Sequence, residues 1–205
     1  MLSVQEIEDR LCLGHEVRGL ELKGPGARSD GHFLAKIVRA CLGMGNLRDG
    51  GHVVIGINDK DPASLGPGLD DTQLKTWSNP DHIARDFATY ADPPMRFDRA
   101  IVELSTGARL VVLEVHEFSD VPHLCAKDYP KVLRDGALYV RPRKVTETSE
   151  VATSVDMRDV LDLATEKRLR DFVERAHRAG VTLTVHSSGP TDAAQFADQL
   201  QQGWS

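Results

Sequence analysis

The chain has 205 residues, 40% apolar and 27% charged, with a formal net charge of −6. That length allows one good-sized domain with a core of its own, and the composition excludes a disordered chain. No apolar run reaches the roughly 20 residues that cross a bilayer, so no membrane partner is expected.

Met1 to Glu6 has no basic stretch leading into an apolar block, so the expectation is a cytoplasmic protein without a signal peptide. The acidic balance argues against a protein that coats nucleic acid unspecifically. It leaves room for a local basic groove around an acidic centre. Cys12, Cys41 and Cys125 are odd in number and follow no zinc-ribbon spacing, which points to small buried side chains in a reducing compartment.

In chain order, Ser3 and Glu6 suit a capping box, and Val4, Ile7 and Leu11 continue at helical spacing until Gly14. Leu20-Glu21-Leu22-Lys23 alternates as a half-buried strand does, and Gly24-Pro25-Gly26 ends it. Phe33, Leu34, Ile37, Val38 and Cys41 mark an amphipathic helix with Asp30 as its cap, closed by Gly43, Gly45 and Asn46. Val53-Val54-Ile55-Gly56-Ile57 reads as a central strand covered on both faces. A loop over 62–68 leads to helices at 70–77 and from Asn79, the second with Pro80 in its first turn.

After Pro93-Pro94, strands at 97–104 and 108–116 form a hairpin through Ser105-Thr106-Gly107. Asp135-Gly136 turns into Leu138-Tyr139-Val140-Arg141. Residues 155–179 are helical, in two pieces that break near Thr165. The polar remainder, with Ser187-Ser188-Gly189-Pro190, reads as a linker and a terminal helix. Hairpins mixed with helices indicate an α+β fold, with a main domain over 1–165 and an extension over 166–205.

Glu16 and Glu21 stand five residues apart, a spacing that diverges on a regular strand or helix. They converge only if the backbone bends between them, and Gly19 permits that. Asp59 lies two residues beyond Ile57, at the carboxyl end of the central strand. Were the Glu21 strand to pair beside that strand, the three acids would cluster. Their oxygens suit Mg²⁺ or Mn²⁺, and such a metal activates water against a phosphodiester with Lys23 positioning the phosphate. Carboxylates at element ends are ordinary and often serve only as caps, and Lys23 alone reads more readily as a solvated strand-face charge than as a phosphate ligand.

These residues resemble a known family. Glu16-x-x-x-x-Glu21-x-Lys23, then a helix, then Gly50-Gly51 leading to Val54-Ile55-Gly56-Ile57-x-Asp59, is similar to the Schlafen AlbA-type domain. That pattern has an E-F-K-like strand, a helix ending in A-F-A-N, a G-G turn and an I-G-V-x-D strand. Ala40-Cys41-Leu42-Gly43 and Asn46 stand where A-F-A-N would be, with extra residues before Gly50 that suggest a longer loop. Ala91-Asp92-Pro93-Pro94, residues 110–115 and Ala137 to Arg141, with Thr146 and Thr148 beyond, resemble later parts of the pattern. Pro142-Arg143-Lys144 replaces the usual Gly-Ser pair.

The resemblance covers roughly 10–165 and implies a mixed sheet with flanking helices. It also implies one of two activities. Members with the acid triad are similar to metal-dependent endoribonucleases that cleave tRNA or rRNA, and Glu16, Glu21 and Asp59 are its counterparts here. Others are non-catalytic modules that bind nucleic acid, DNA included, or ATP, often joined to a regulatory C-terminus.

Arg141, Arg143 and Lys144, with Lys131 and Arg134 upstream, form the densest basic cluster, and Arg18 and Arg28 are weaker candidates. They either grip an RNA backbone or form a solvated edge. The apolar positions of the last helix either cover the sheet or pair two copies of the chain.

Overall fold

The computed structural model describes residues 4–12, 18–57, 66–143, 147–151 and 153–181. It divides into two compact units, Met1–Lys167 and Arg168–Ser205.

Helix α1 (Val4–Cys12) precedes strand β1 (Leu20–Lys23), and helix α2 (Gly31–Gly45) carries the chain across to strand β2 (Gly51–Ile55). The Asp30 carboxylate accepts from the N–H groups of His32 and Phe33 at 2.9 and 3.2 Å, satisfying two of the donors that a helix start leaves open. Because a helix joins them, β1 and β2 run parallel, with Glu21 beside Val53 and Lys23 beside Ile55. The hairpin of β4 (Phe97–Glu103) and β5 (Arg109–Val115) adds to the other edge of β2, giving the order β1-β2-β5-β4. The fold is α+β with a mixed sheet.

The two sheet faces have different covers. Ile7 of α1 packs with Leu20, Leu22, Val54 and Val112 on one face. On the other, α2 packs over Val53, Ile55, Val111 and Leu113, together with Trp77 of α3 (Asp71–Trp77) and Phe87 of α4 (Pro80–Ala88). Asp70 and Asn79 cap those two helices, and Gln73 completes a capping box with Asp70. Val53, Val54 and Ile55 have no exposed surface, as a doubly covered interior strand requires.

Short strands close the molecule around the end of α2. β3 (Ala91–Asp92) pairs with β6 (Leu124–Cys125), and β7 (Tyr139–Val140) pairs with β8 (Ser149–Glu150). Asn46, the C-cap of α2, is buried. Its Nδ2 donates to the carbonyls of His123 and Tyr139 at 2.8 and 2.9 Å, and its Oδ1 accepts from the His123 N–H at 2.8 Å. This clamp sets β7 against α2, and so sets the position of Arg141.

Two expectations change here. Gly43 and Gly45 lie inside α2 rather than after it. A Cβ on Gly43 would sit 2.5 Å from Cγ2 of Thr148, so this glycine lets the segment before β8 close onto the helix. Helix α5 (Ser154–Arg178) runs unbroken past Thr165. It has no internal Gly or Pro, and one β-branched residue costs a helix only a fraction of a kcal/mol, under about 0.7.

Val160 and Leu163 of α5 pack with Phe118 and Val140. In the second unit, Arg175 pairs with Asp171 at 2.6 Å, while Leu169, Phe172 and Val173 are exposed. Among the described residues no helix is long and apolar enough to cross a membrane.

Candidate functional site

Strand β1 is an edge strand, yet three of its four residues are buried rather than alternating in and out. Glu21 is only 4% exposed. A buried carboxylate must be paired and hydrogen-bonded to remain charged, and this one is. Its Oε2 accepts from Nη1 of Arg141 at 2.5 Å and from Oγ1 of Thr148 at 2.9 Å. Its Oε1 lies 2.6 Å from Nζ of Lys23.

Arg141 itself is 1% exposed, so the expectation of a solvent-facing cation able to grip an RNA backbone is corrected. Its planar guanidinium also donates from Nη2 to the Leu20 carbonyl at 2.9 Å and from Nε to the Arg18 carbonyl at 3.0 Å. A fixed five-donor fork suits this task, because one side chain neutralises Glu21 and satisfies carbonyls along the free edge of β1. Arg18 answers by donating from Nε to the Arg141 carbonyl at 3.1 Å.

Arg143 and Arg18 have local partners. Arg143 is exposed and holds Asp159 through two bonds of 2.8 Å, and Arg18 lies 3.7 Å from the same carboxylate. That fork holds the Asp159 carboxyl below its usual range despite a small opposing cost of burial. Arg18 and Arg143 line a cleft of about 340 Å³ beside the start of α5. Glu16, Asp59 and Lys144 lie outside the described residues, so Glu21 and Lys23 are the members of the expected catalytic set whose positions are on view.

Glu21 and Lys23 open into a cleft of about 240 Å³, which Lys36, Arg39, Glu147 and Thr148 complete. Lys36 is exposed and has no ion-pair partner among the described residues. Arg39 donates from Nη2 to the Thr148 carbonyl at 2.9 Å and lies over the Tyr139 ring, 5.5 Å from its centroid. Its Nε is buried without an acceptor. Three cations, Lys23, Lys36 and Arg39, share this cleft with two carboxylates, Glu21 and Glu147. The buried Arg141 already neutralises Glu21, so the balance favours an anionic group that approaches from solvent.

Lys36, Arg39 and Glu147 carried no assignment in the sequence. The first two were findable as cations three apart on one face of α2, the face toward β1. Thr148 appeared as part of a motif without a role.

Burial pushes the Cys41 thiol well up from its ordinary value, and the negative charge of Glu21 adds to the effect. Cys125 is raised by burial as well, so both are inert packing residues.

No family model matches the chain, and no curated protein matches it. Among solved structures it is similar to the DIP2311 protein from Corynebacterium diphtheriae, at 16% identity over 72% of this chain and a TM-score of 0.48. This chain spans 29% of the length of that one. It is also similar to the N-terminal domain of a RecG-related protein from Nitrosomonas europaea, at 22% identity over 65% of this chain and 96% of the other, with a TM-score of 0.35.

Proposed function

We propose that the chain is a Schlafen AlbA-type domain that hydrolyses structured RNA, such as tRNA, with a divalent metal held by Glu16, Glu21 and Asp59. The observation that carries this reading is the buried Glu21 carboxylate at the floor of a cleft walled by Lys23, Lys36 and Arg39. Cations there neutralise a phosphodiester as it approaches the acids.

Strand pairing supports the rest. The Lys23 carbonyl accepts from the N–H groups of Gly56 and Ile57 at 2.9 and 3.0 Å, so the chain leaves β2 beside the end of β1. Asp59 follows Ile57 by two residues, a reach of about 7 Å at most. Glu16 precedes Arg18 by two, and Arg141 binds both the Arg18 carbonyl and Glu21.

Carboxylate oxygens are the donors that Mg²⁺ and Mn²⁺ take. Among the described residues no group of three His, Cys, Asp or Glu side chains forms a metal site, Glu21 being the one member of the trio they include. When bound, the metal supplies an activated water and charge stabilisation at the phosphate. Lys23 and Lys36 hold the phosphate against the site. Arg141 fixes the rotamer of Glu21.

A second reading rests on a specific observation: both Glu21 oxygens already have cationic or hydroxyl partners. On that reading the chain binds RNA or DNA without cutting it, and the acid serves only to hold Arg141.

Incubating tRNA with the protein and Mn²⁺ separates the two. The wild type cleaves, and Glu16→Gln, Glu21→Gln and Asp59→Asn each lose roughly 100-fold or more in rate. Equal cleavage by wild type and variants overturns the hydrolase reading. So does a wild type that binds tRNA in EDTA but cuts it with neither Mg²⁺ nor Mn²⁺, which is the result of the binding module.

A further inference from the structure

Arg39 borders two clefts. One is the Glu21 cleft. The other, of about 510 Å³, is lined by Arg39, Tyr129, Lys131, Arg134 and Tyr139, among others. The partition between them is thin: Arg39 donates to the Thr148 carbonyl, and the Thr148 hydroxyl donates to Glu21.

The charges of the second cleft sort into used and unused. Arg134 is locked onto Glu150 through Nε and Nη2, and Asp128 accepts from the backbone of Asp135. Lys131 is exposed and has no ion-pair partner among the described residues, like Lys36 in the first cleft. It sits at φ 61, a backbone conformation that lysine rarely adopts, in the tight turn between Tyr129 and Leu133. Tyr129 is half-buried and leaves part of its ring to the cleft, with His32 beside it at 6.0 Å between ring centroids. Cations without ion-pair partners among the described residues, on both sides of a shared arginine and with an aromatic ring next to one of them, are the elements of a single-strand track: backbone charges along the groove and a base against a ring.

We infer that the two clefts form one track for a single-stranded nucleic acid, with one phosphate over Lys36 and Arg39 and the next nucleotide in the Tyr129–Lys131 cleft. This rests on the reading of the Glu21 cleft as a phosphodiester site. It adds that the substrate segment is unpaired, a loop or an end, because a base held in the second cleft is not stacked in a duplex.

The test is binding of a fluorescein-labelled uridine dodecamer in EDTA, which removes any metal-dependent cut from the readout. Lys131→Asn keeps a residue that tolerates the left-handed backbone, and Lys36→Gln sits on an exposed helix face, so both fold. Each weakens binding about three- to tenfold and lowers the salt dependence by about 0.7 in slope, as loss of one phosphate contact does for a single strand. Lys75→Gln, an equal change of charge on α3 away from both clefts, stays within about twofold.

Unchanged binding by Lys131→Asn overturns the track, even if Lys36→Gln weakens binding. A wild type that ignores the dodecamer but binds oligoglutamate overturns it too. Intact binding by a protein that cuts no RNA leaves the track standing and removes only the hydrolase.

Discussion

At the scale of single residues, Arg141 and Arg143 show how differently two neighbouring cations can be used. Arg141 is buried, meets the Glu21 carboxylate at 2.5 Å and binds two backbone carbonyls. Arg143 is exposed on its Asp159 fork. Arg141→Met leaves Glu21 only Lys23 and Thr148 and strips two carbonyls of their donor, so losing this buried partner costs about 3–5 kcal/mol. Arg143→Met costs far less, because its exposed pair is screened by solvent. Urea denaturation of both variants measures this, and equal losses would show that the Glu21 pair contributes no more than a surface contact. In the sequence these arginines look alike, two residues apart in one basic run. Their difference arises from a partner 120 positions upstream, a relation that spacing does not encode. Glu21 itself was legible as a polar residue within a strand. Its burial was not, because alternation predicts a solvent face that Arg141 and Thr148 cover.

At the scale of elements, α2 and the segment before β8 meet at Gly43 and Thr148. Gly43→Ala drives a methyl group to 2.5 Å from Cγ2 and 2.7 Å from Oγ1 of Thr148. Overpacking of this kind costs about 1–3 kcal/mol and shifts a side chain that donates to Glu21. Thr148→Ala removes both clashing atoms, so the double variant recovers part of the Gly43→Ala loss. A double-mutant cycle by thermal unfolding reads the coupling at about 0.5 kcal/mol or more, and strict additivity would contradict the contact. Caps and periodicity made most elements readable. Asp30, Asp70 and Asn79 stand at the starts of α2, α3 and α4, where such residues belong. Gly43 was misread as a helix stop because glycine signals both an end and a close approach, and only the packing partner decides between them. The break expected near Thr165 is absent, because one β-branched residue among strong helix formers does not end a helix.

At the scale of the molecule, two histidines fix how stability depends on pH. Burial lowers the pKa of His52. Glu114 opposes that shift, and Arg10 adds to it. Burial also lowers His123, against a raising contribution from its Nδ1 bond to the Pro93 carbonyl at 2.7 Å. Both therefore bind protons less readily folded than unfolded. Below the ordinary histidine value of about 6.5 the unfolded chain holds more protons, so stability falls as pH drops from 7.5 to 5.5. Thermal unfolding across that range shows a falling midpoint for the wild type and a flatter one for the His52→Gln/His123→Gln double variant. Parallel curves would remove these groups as the cause.

The fold as a whole was largely readable. The apolar runs marked β1 and β2, and the hairpin at 105–107 implied β4 and β5. The pairing of β1 with β2 was left by the sequence as the condition on which convergence of the acids depended. Lys36, Arg39 and Thr148 were not assigned, because their common cleft is assembled from α2, β1 and the segment before β8, which only the tertiary fold brings together.

The central claim is that Glu16, Glu21 and Asp59 together take one divalent cation. Electron paramagnetic resonance of free Mn²⁺, titrated with the protein, tests it most directly. One equivalent of ion loses its free signal with the wild type, and Glu16→Gln and Asp59→Asn each weaken this binding by more than about tenfold. A free signal unchanged by the wild type, or variants that bind Mn²⁺ as tightly as it does, would contradict the claim.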